Sequence, residues 1–173
     1  MHKFSAKLFL LVLIVLAGCS SHSSINKIKP VASTSYILQH YGVLSIAGNR
    51  IPLRGMLHLN PEQRTARVVM LNDIGLKLLV AEIIAYDTGK FESKLLFASP
   101  FLRMIPPFYD ESMRCIYKMY FTQHQADSMG TKISTEGIKK IGNREFATHT
   151  IISELHGNYT LELFLNSGLQ KDS

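Results

Sequence analysis

Residues 50–59 read RIPLRGMLHL, and this stretch decides the fold because its side chains alternate in character. One alternate set is apolar or small: Ile51, Leu53, Gly55, Leu57 and Leu59. Most of the residues between them are charged or polar. A period of two is typical of a β-strand that buries one face and exposes the other. The stretch therefore predicts a half-buried strand.

Similar apolar runs lie on both sides of this strand, separated by short joints. The joints carry Gly, Asn or Asp, which accept the backbone angles of tight hairpin turns. Because joints this short connect only antiparallel neighbours, the runs predict an antiparallel meander. Its five strands are expected at about 36–47, 50–59, 65–71, 76–86 and 91–97.

The run at 76–86 departs from alternation, since both of its sides are apolar. One side carries Leu78, Val80 and Ile84, and the other carries Leu79, Ala81, Ile83 and Ala85. A strand that is apolar on both sides is covered on both sides or lines an apolar space.

The strand pattern stops at Ser99-Pro100, where Ser suits a helix N-cap and Pro suits the first helical position. A short helix is predicted over Phe101–Ile105 and a second from Phe108 to about His124. Strand patterns then return at about 132–141, 144–155 and 159–166. The predicted fold class is α+β, mainly antiparallel β.

The N-terminal residues have the features of a bacterial lipoprotein leader. Residues 1–18 combine two lysines with an apolar run too short to span a bilayer, as in a secretory signal peptide. Leu16-Ala17-Gly18-Cys19 resembles the lipobox, which implies a diacylglycerol and an N-acyl chain on Cys19. Two or three acyl chains hold a protein stably on a membrane. In Gram-negative lipoproteins, Ser20 after the cysteine implies the periplasmic face of the outer membrane.

Domain organisation follows from this leader. Residues 1–18 are expected to be the signal peptide, residues 19–35 the acylated cysteine with a flexible serine-rich tether, and residues 36–173 a single β-rich domain. The 46% of hydrophobic residues and 18% of charged residues exclude an intrinsically disordered chain. A net charge of +6 suits an anionic membrane surface, but its scattered residues do not predict nucleic-acid binding.

Motifs for catalysis, phosphate binding or metal binding are absent from the sequence, so no enzyme, cofactor or metal site is predicted. A two-residue turn at Gly48-Asn49 would place His40 opposite Leu57 and leave His58 on the other face, so these histidines should not converge. Cys115 lies in the predicted second helix among apolar residues, which favours a buried and inert thiol.

The segment Ile51–Glu82 resembles the first hairpins of the LolA/LolB superfamily of lipoprotein carriers and receptors. The resemblance lies in Ile51–Gly55, in the strand at Arg64–Leu71 and in the turn Asn72-Asp73-Ile74-Gly75. It implies an open half-barrel sheet wrapped over short helices. It also implies an apolar cavity for acyl chains, with a lipid or a lipoprotein as cargo.

From these patterns we expect a non-catalytic lipoprotein that binds a hydrophobic ligand. The expected ligand contacts are Leu53, Leu57, Val68, Met70, Leu78, Val80, Met104, Phe108, Ile116 and Met119. Ile74, at the tip of a turn, is the expected contact with membrane or cargo. The alternative is a structural or assembly lipoprotein of the envelope with a filled core and a protein partner, since both functions need the same inward-facing apolar residues.

Overall fold

The computed structural model describes residues 33–105, 107–122 and 130–172, all of which lie in one compact unit, residues 32–173. The predicted signal peptide, Cys19 and the tether up to residue 32 lie outside the described residues. So do residues 123–129, where the second helix was predicted to end.

The described chain forms one antiparallel sheet of eight strands, and the prediction of a mainly antiparallel β fold is confirmed. The strands are β1 (Thr34–Ile46), β2 (Asn49–Asn60), β3 (Thr65–Asn72), β4 (Lys77–Ala85), β5 (Phe91–Ala98), β6 (Thr131–Ile141), β7 (Arg144–Glu154) and β8 (Tyr159–Asp172). Their order across the sheet is β5-β4-β3-β2-β1-β8-β7-β6, so β5 and β6 form the two edges of an open sheet.

Two helices connect β5 to β6. Helix α1 (Pro100–Arg103) is a single turn whose N-cap is Ser99, with the Leu102 backbone N–H donating to the Ser99 Oγ at 3.3 Å. Helix α2 (Phe108–Phe121) carries Asp110 and Glu111 in its first turn, where the helix dipole favours acidic groups. Neither described helix is long and apolar enough to cross a membrane.

Both helices pack on one face of the sheet, which we call the inner face. It carries Leu38, Leu57 and Val68, which form one buried cluster with Leu102 and Met113 of the helices. Because cross-strand partners share a face, the pairs Leu38↔Leu57, Leu57↔Val68 and Val68↔Ala81 extend this face from β1 to β4. The opposite side of the sheet is the outer face.

The β1–β2 turn differs from the prediction by one position. Ala47 and Gly48, not Gly48 and Asn49, occupy its two central positions, and both have positive φ, at 48° and 79°. His40 consequently pairs with Gly55 instead of Leu57. A register shift of two residues keeps every side chain on its original face. The predicted inner and outer residues of β2 are therefore correct although the predicted turn is wrong.

The phase of β4 also corrects the prediction for Val80. Met70 pairs with Leu79, so Leu79 faces inward, whereas Val80 pairs with Val69 on the outer face. An irregularity between Met70 and Leu71 leaves Leu78 outside the regular pairing. When both sides of a strand are apolar, its sequence does not indicate which side faces inward. The pairing with the neighbouring strand decides this.

Candidate functional site

A cavity of about 70 Å³ lies between the inner face and α2. Strands β2 and β3 supply one part of its wall, strands β7 and β8 another, and α2 covers it. Most of the sixteen wall residues are apolar, and four of them are methionines: Met56, Met70, Met113 and Met119. Methionine side chains adapt to irregular shapes, so this wall suits a variable apolar occupant.

Among the residues that the structure describes, the wall of the cavity carries no charged side chain at neutral pH. His40 and Tyr120 are its titratable groups, and burial is the cause of both pKa shifts. Burial lowers the pKa of His40 from 6.5 to about 4. It raises the pKa of Tyr120 to about 12, against a weaker opposing effect of Arg144. Ser112 and Thr150 add uncharged hydroxyl groups.

Six of the ten predicted ligand contacts lie in this wall. They are Leu53, Leu57, Val68, Met70, Ile116 and Met119. The structure therefore brings together residues from β2, β3 and α2, as the alternation of the strands and the apolar stripe of the helix predicted. Whether these residues bind a ligand stays a prediction.

The other four predicted contacts are not in the wall. Val80 is excluded by the phase of β4, whereas Leu78 has no partner in the β3–β4 pairing and packs, partly buried, against the core cluster outside the wall. Met104 follows the end of α1 and is 74% exposed, because the helix is shorter than predicted. Phe108 is only 1% exposed and packs edge-on against Tyr159 at a ring-centroid distance of 5.2 Å, in the filled part of the core.

Several wall residues were missed by the sequence prediction, above all His40, Gly55 and those of β7 and β8. The latter are Thr150, Ile152, Leu161 and Leu163. Alternation in β8 indicated that Leu161 and Leu163 share a face. It did not indicate that β8 lies beside β1, which is what brings them to the cavity.

Ile74 is held outward at the β3–β4 turn and is 75% exposed. The Asn72 Oδ1 accepts a hydrogen bond from the Leu76 backbone N–H at 2.7 Å, and the Asp73 Oδ1 accepts one from the Ile74 N–H at 3.0 Å. Gly75 has a φ of +86°, which favours glycine. The turn thus presents Ile74 and the exposed Leu76 on a hydrogen-bonded frame.

Cys115 is buried, as predicted, and lies on the side of α2 that faces β6. Its thiol is 3.5 Å from the Thr131 Oγ1, and that hydroxyl donates to the Glu111 carboxylate at 3.2 Å. Burial raises the pKa of the thiol, so the reactive thiolate is disfavoured. This cluster joins α2 to the first residues of β6.

Within residues 33–105, 107–122 and 130–172, no group of three or more His, Cys, Asp or Glu side chains is placed to hold a metal ion. No protein-family model matches the chain, and no curated protein matches it significantly.

The low pKa of His40 predicts a loss of stability in mild acid. The unfolded imidazole takes up a proton below about pH 6.5, but the folded one stays neutral to about pH 4, so the unfolded state binds more protons in this window. The free energy of unfolding should fall by about 2 kcal/mol between pH 7.5 and pH 5. Urea unfolding at the two pH values measures this drop.

The control is His40→Gln, whose side chain is neutral at both pH values and should show a clearly smaller drop. Glu154 does not contribute to the drop in the free energy of unfolding between pH 7.5 and pH 5. Its carboxylate accepts from His156, which lowers the pKa of Glu154, so its contribution is lost only in stronger acid. An equal drop in both proteins would contradict the assignment to His40.

Proposed function

We propose that this protein is a lipid-anchored lipoprotein of the outer membrane, on its periplasmic face, that binds the acyl chain of a lipid or lipoprotein without catalysis. The observation that carries the proposal is the cavity between the inner face and α2, whose wall is apolar and uncharged. Burial of the chain would drive binding, at about 25 cal/mol per Å² of apolar surface. The sequence around Cys19 supports the anchor.

We also propose that the sheet is a half-barrel of the LolA/LolB kind, wrapped over the helices. An open antiparallel sheet with both described helices on one face supports this assignment. So does the position of the segment Ile51–Glu82, which spans three neighbouring strands of the sheet.

The size of the cavity defines how a ligand would enter. Its volume of about 70 Å³ is well below the ~300 Å³ at which ordinary ligand pockets begin. A chain would therefore insert its end and displace α2 from the sheet. Ile116 and Met119 of α2 are only partly buried, and their side chains would be the first to move.

Ile74 is the proposed contact with the membrane or the cargo. Its exposure and the neighbouring exposed Leu76 support this role, because together they place two large apolar side chains on a turn held by hydrogen bonds. Lys77 follows directly and would suit the anionic surface of a membrane.

Ligand binding is tested with residues 19–173 carrying Cys19→Ser, a chain that contains every described strand and helix. Native mass spectrometry detects co-purified lipid, and titration with an uncharged fluorescent ester of a fatty acid measures affinity. We expect saturable binding, and at least a tenfold loss in Met119→Glu, because a carboxylate in the cavity wall is costly to bury beside an acyl chain.

Met104→Glu is the matched control, because it makes the same change at an exposed position near the start of the helical segment. It should bind like the parent protein. Gly55→Val is a second test, since its side chain would enter the cavity, and the His40 Cβ is the one described atom within 4 Å of the new Cβ, at 3.7 Å. A parent protein that carries no lipid and takes up no probe would refute the proposal.

The second candidate function is a structural or assembly lipoprotein with a protein partner, and the small volume of the cavity favours it. On this reading the inner face is a filled core, and partners would bind elsewhere. The absence of probe binding, together with full stability of the parent protein, would select it.

A further inference from the structure

His40 is a polar side chain at the edge of the apolar cavity with unoccupied space beside it. Its cross-strand partner on β2 is Gly55, which has no side chain to cover the imidazole. A residue with a Cβ at position 55 would place that atom 3.7 Å from the His40 Cβ, within ordinary contact. The bare glycine therefore leaves the space in front of His40 open.

The backbone at His40 is irregular on its other side. The pairing of β1 with β8 shifts between Gln39 and His40, where Asn166 is an extra residue in β8. Such bulges redirect side chains and are frequent beside functional sites. His40 also borders an open concavity of about 450 Å³ on the outer face, lined in part by Tyr41 and Arg54. The imidazole thus lies beside an irregularity of the sheet.

The ring nitrogens of His40 make no hydrogen bond within the part of the chain that the structure describes. Two other histidines differ in this respect. His149 lies between the carboxylates of Glu136 and Glu162, and His156 contacts Glu154 at 2.6 Å. The imidazole is therefore free to donate to an occupant of the cavity, which would add one hydrogen bond to the apolar contacts of that occupant.

The chemistry of that occupant follows from the charge of the wall. At neutral pH the imidazole is uncharged and offers one N–H donor and one nitrogen acceptor. Within the described part of the chain, no cation in the cavity wall would compensate a carboxylate. An uncharged acceptor attached to an alkyl chain, such as an ester carbonyl, matches both the apolar wall and the free donor.

We propose that His40 is the specificity-determining residue of this cavity and that its ring N–H donates to the ester carbonyl of an uncharged acyl ligand. This inference rests on the proposed function, because it names the ligand class of the same cavity. It distinguishes an acyl ester, as in a glyceride or a diacylated protein, from a free fatty acid anion or a plain hydrocarbon.

The test compares methyl hexanoate with nonane, an alkane of similar size, by competition against the fluorescent probe on residues 19–173 with Cys19→Ser. The ratio of ester affinity to alkane affinity should be about fivefold higher with His40 than in His40→Leu, as for one net hydrogen bond. Methyl hexanoate should also move the ¹⁵N resonances of the His40 ring, and nonane should not. A merely structural histidine would give no such ligand-specific shift.

The outcomes separate the two proposals. If both compounds bind but the affinity ratio is the same in His40→Leu and the ring resonances do not move, the role of His40 is refuted and ligand binding stands. If neither compound nor the probe binds the parent protein, the proposed function fails and this inference fails with it.

Discussion

The Gly42→Ala protein is expected to lose about 3 kcal/mol of folding free energy, the upper end of the usual range for overpacking and a large part of what a domain of this size has. A Cβ at Gly42 would overlap the backbone carbonyl oxygen of Glu162 and lie 2.9 Å from the Leu163 Cδ2. The backbone of β8 at Glu162 cannot move aside as the end of a flexible side chain can. Strands β1 and β8, which pair along their lengths, would have to separate at this point.

Urea unfolding followed by circular dichroism measures this loss, and Gly55→Ala is the matched control. Gly55 lies on the neighbouring strand, and among the described residues the His40 Cβ is the one atom within 4 Å of its new Cβ, at 3.7 Å. Neither glycine needs positive φ. The control should unfold within about 0.5 kcal/mol of the parent or be slightly more stable. Equal effects at the two glycines would contradict the steric argument.

The Phe108→Ala protein is expected to be destabilised by about 3–5 kcal/mol, the range for a large cavity in a core. Phe108 is almost fully buried at the start of α2 and packs against Tyr159 of β8, so its ring connects the helix to the sheet. Since it does not line the cavity, the folded fraction should bind the fluorescent probe like the parent protein.

Met104→Ala is the control for Phe108→Ala, and thermal unfolding compares the two. Sequence patterns gave both residues the same predicted role, but Met104 is 74% exposed, so its truncation should change stability by less than about 0.5 kcal/mol. A stable Phe108→Ala protein with impaired probe binding would restore the sequence prediction and contradict the structure.

The positions of the strands were predictable because alternation and turn residues are local signals. Seven of the eight strands begin and end within about two residues of the prediction. Strand β8 is the exception, since it continues to Asp172 through polar residues without alternation. Its last residues are strand because Thr34–Gln39 of β1 supply their hydrogen-bond partners, from the other end of the chain.

The wall of the cavity was predictable only in part, because local signals bring together only residues of strands that are adjacent in the sequence. Leu53, Leu57, Val68 and Met70 lie on strands that are neighbours in sequence, so alternation placed them together. The contribution of β7 and β8 depends on the β1–β8 pairing, which no local pattern indicates. The cross-strand partner of His40 depends on which two residues occupy the centre of the β1–β2 turn.

The pairing of the first strand with the last has a consequence for how the protein is made. The centre of the sheet, where β1 pairs with both β2 and β8, cannot be completed before residues 159–172 have been synthesised. Contacts of such long sequence separation fold slowly. Until then β1 is an unpaired edge, and unpaired edges associate with other chains. Chaperone protection would matter most for a nascent chain that lacks only β8.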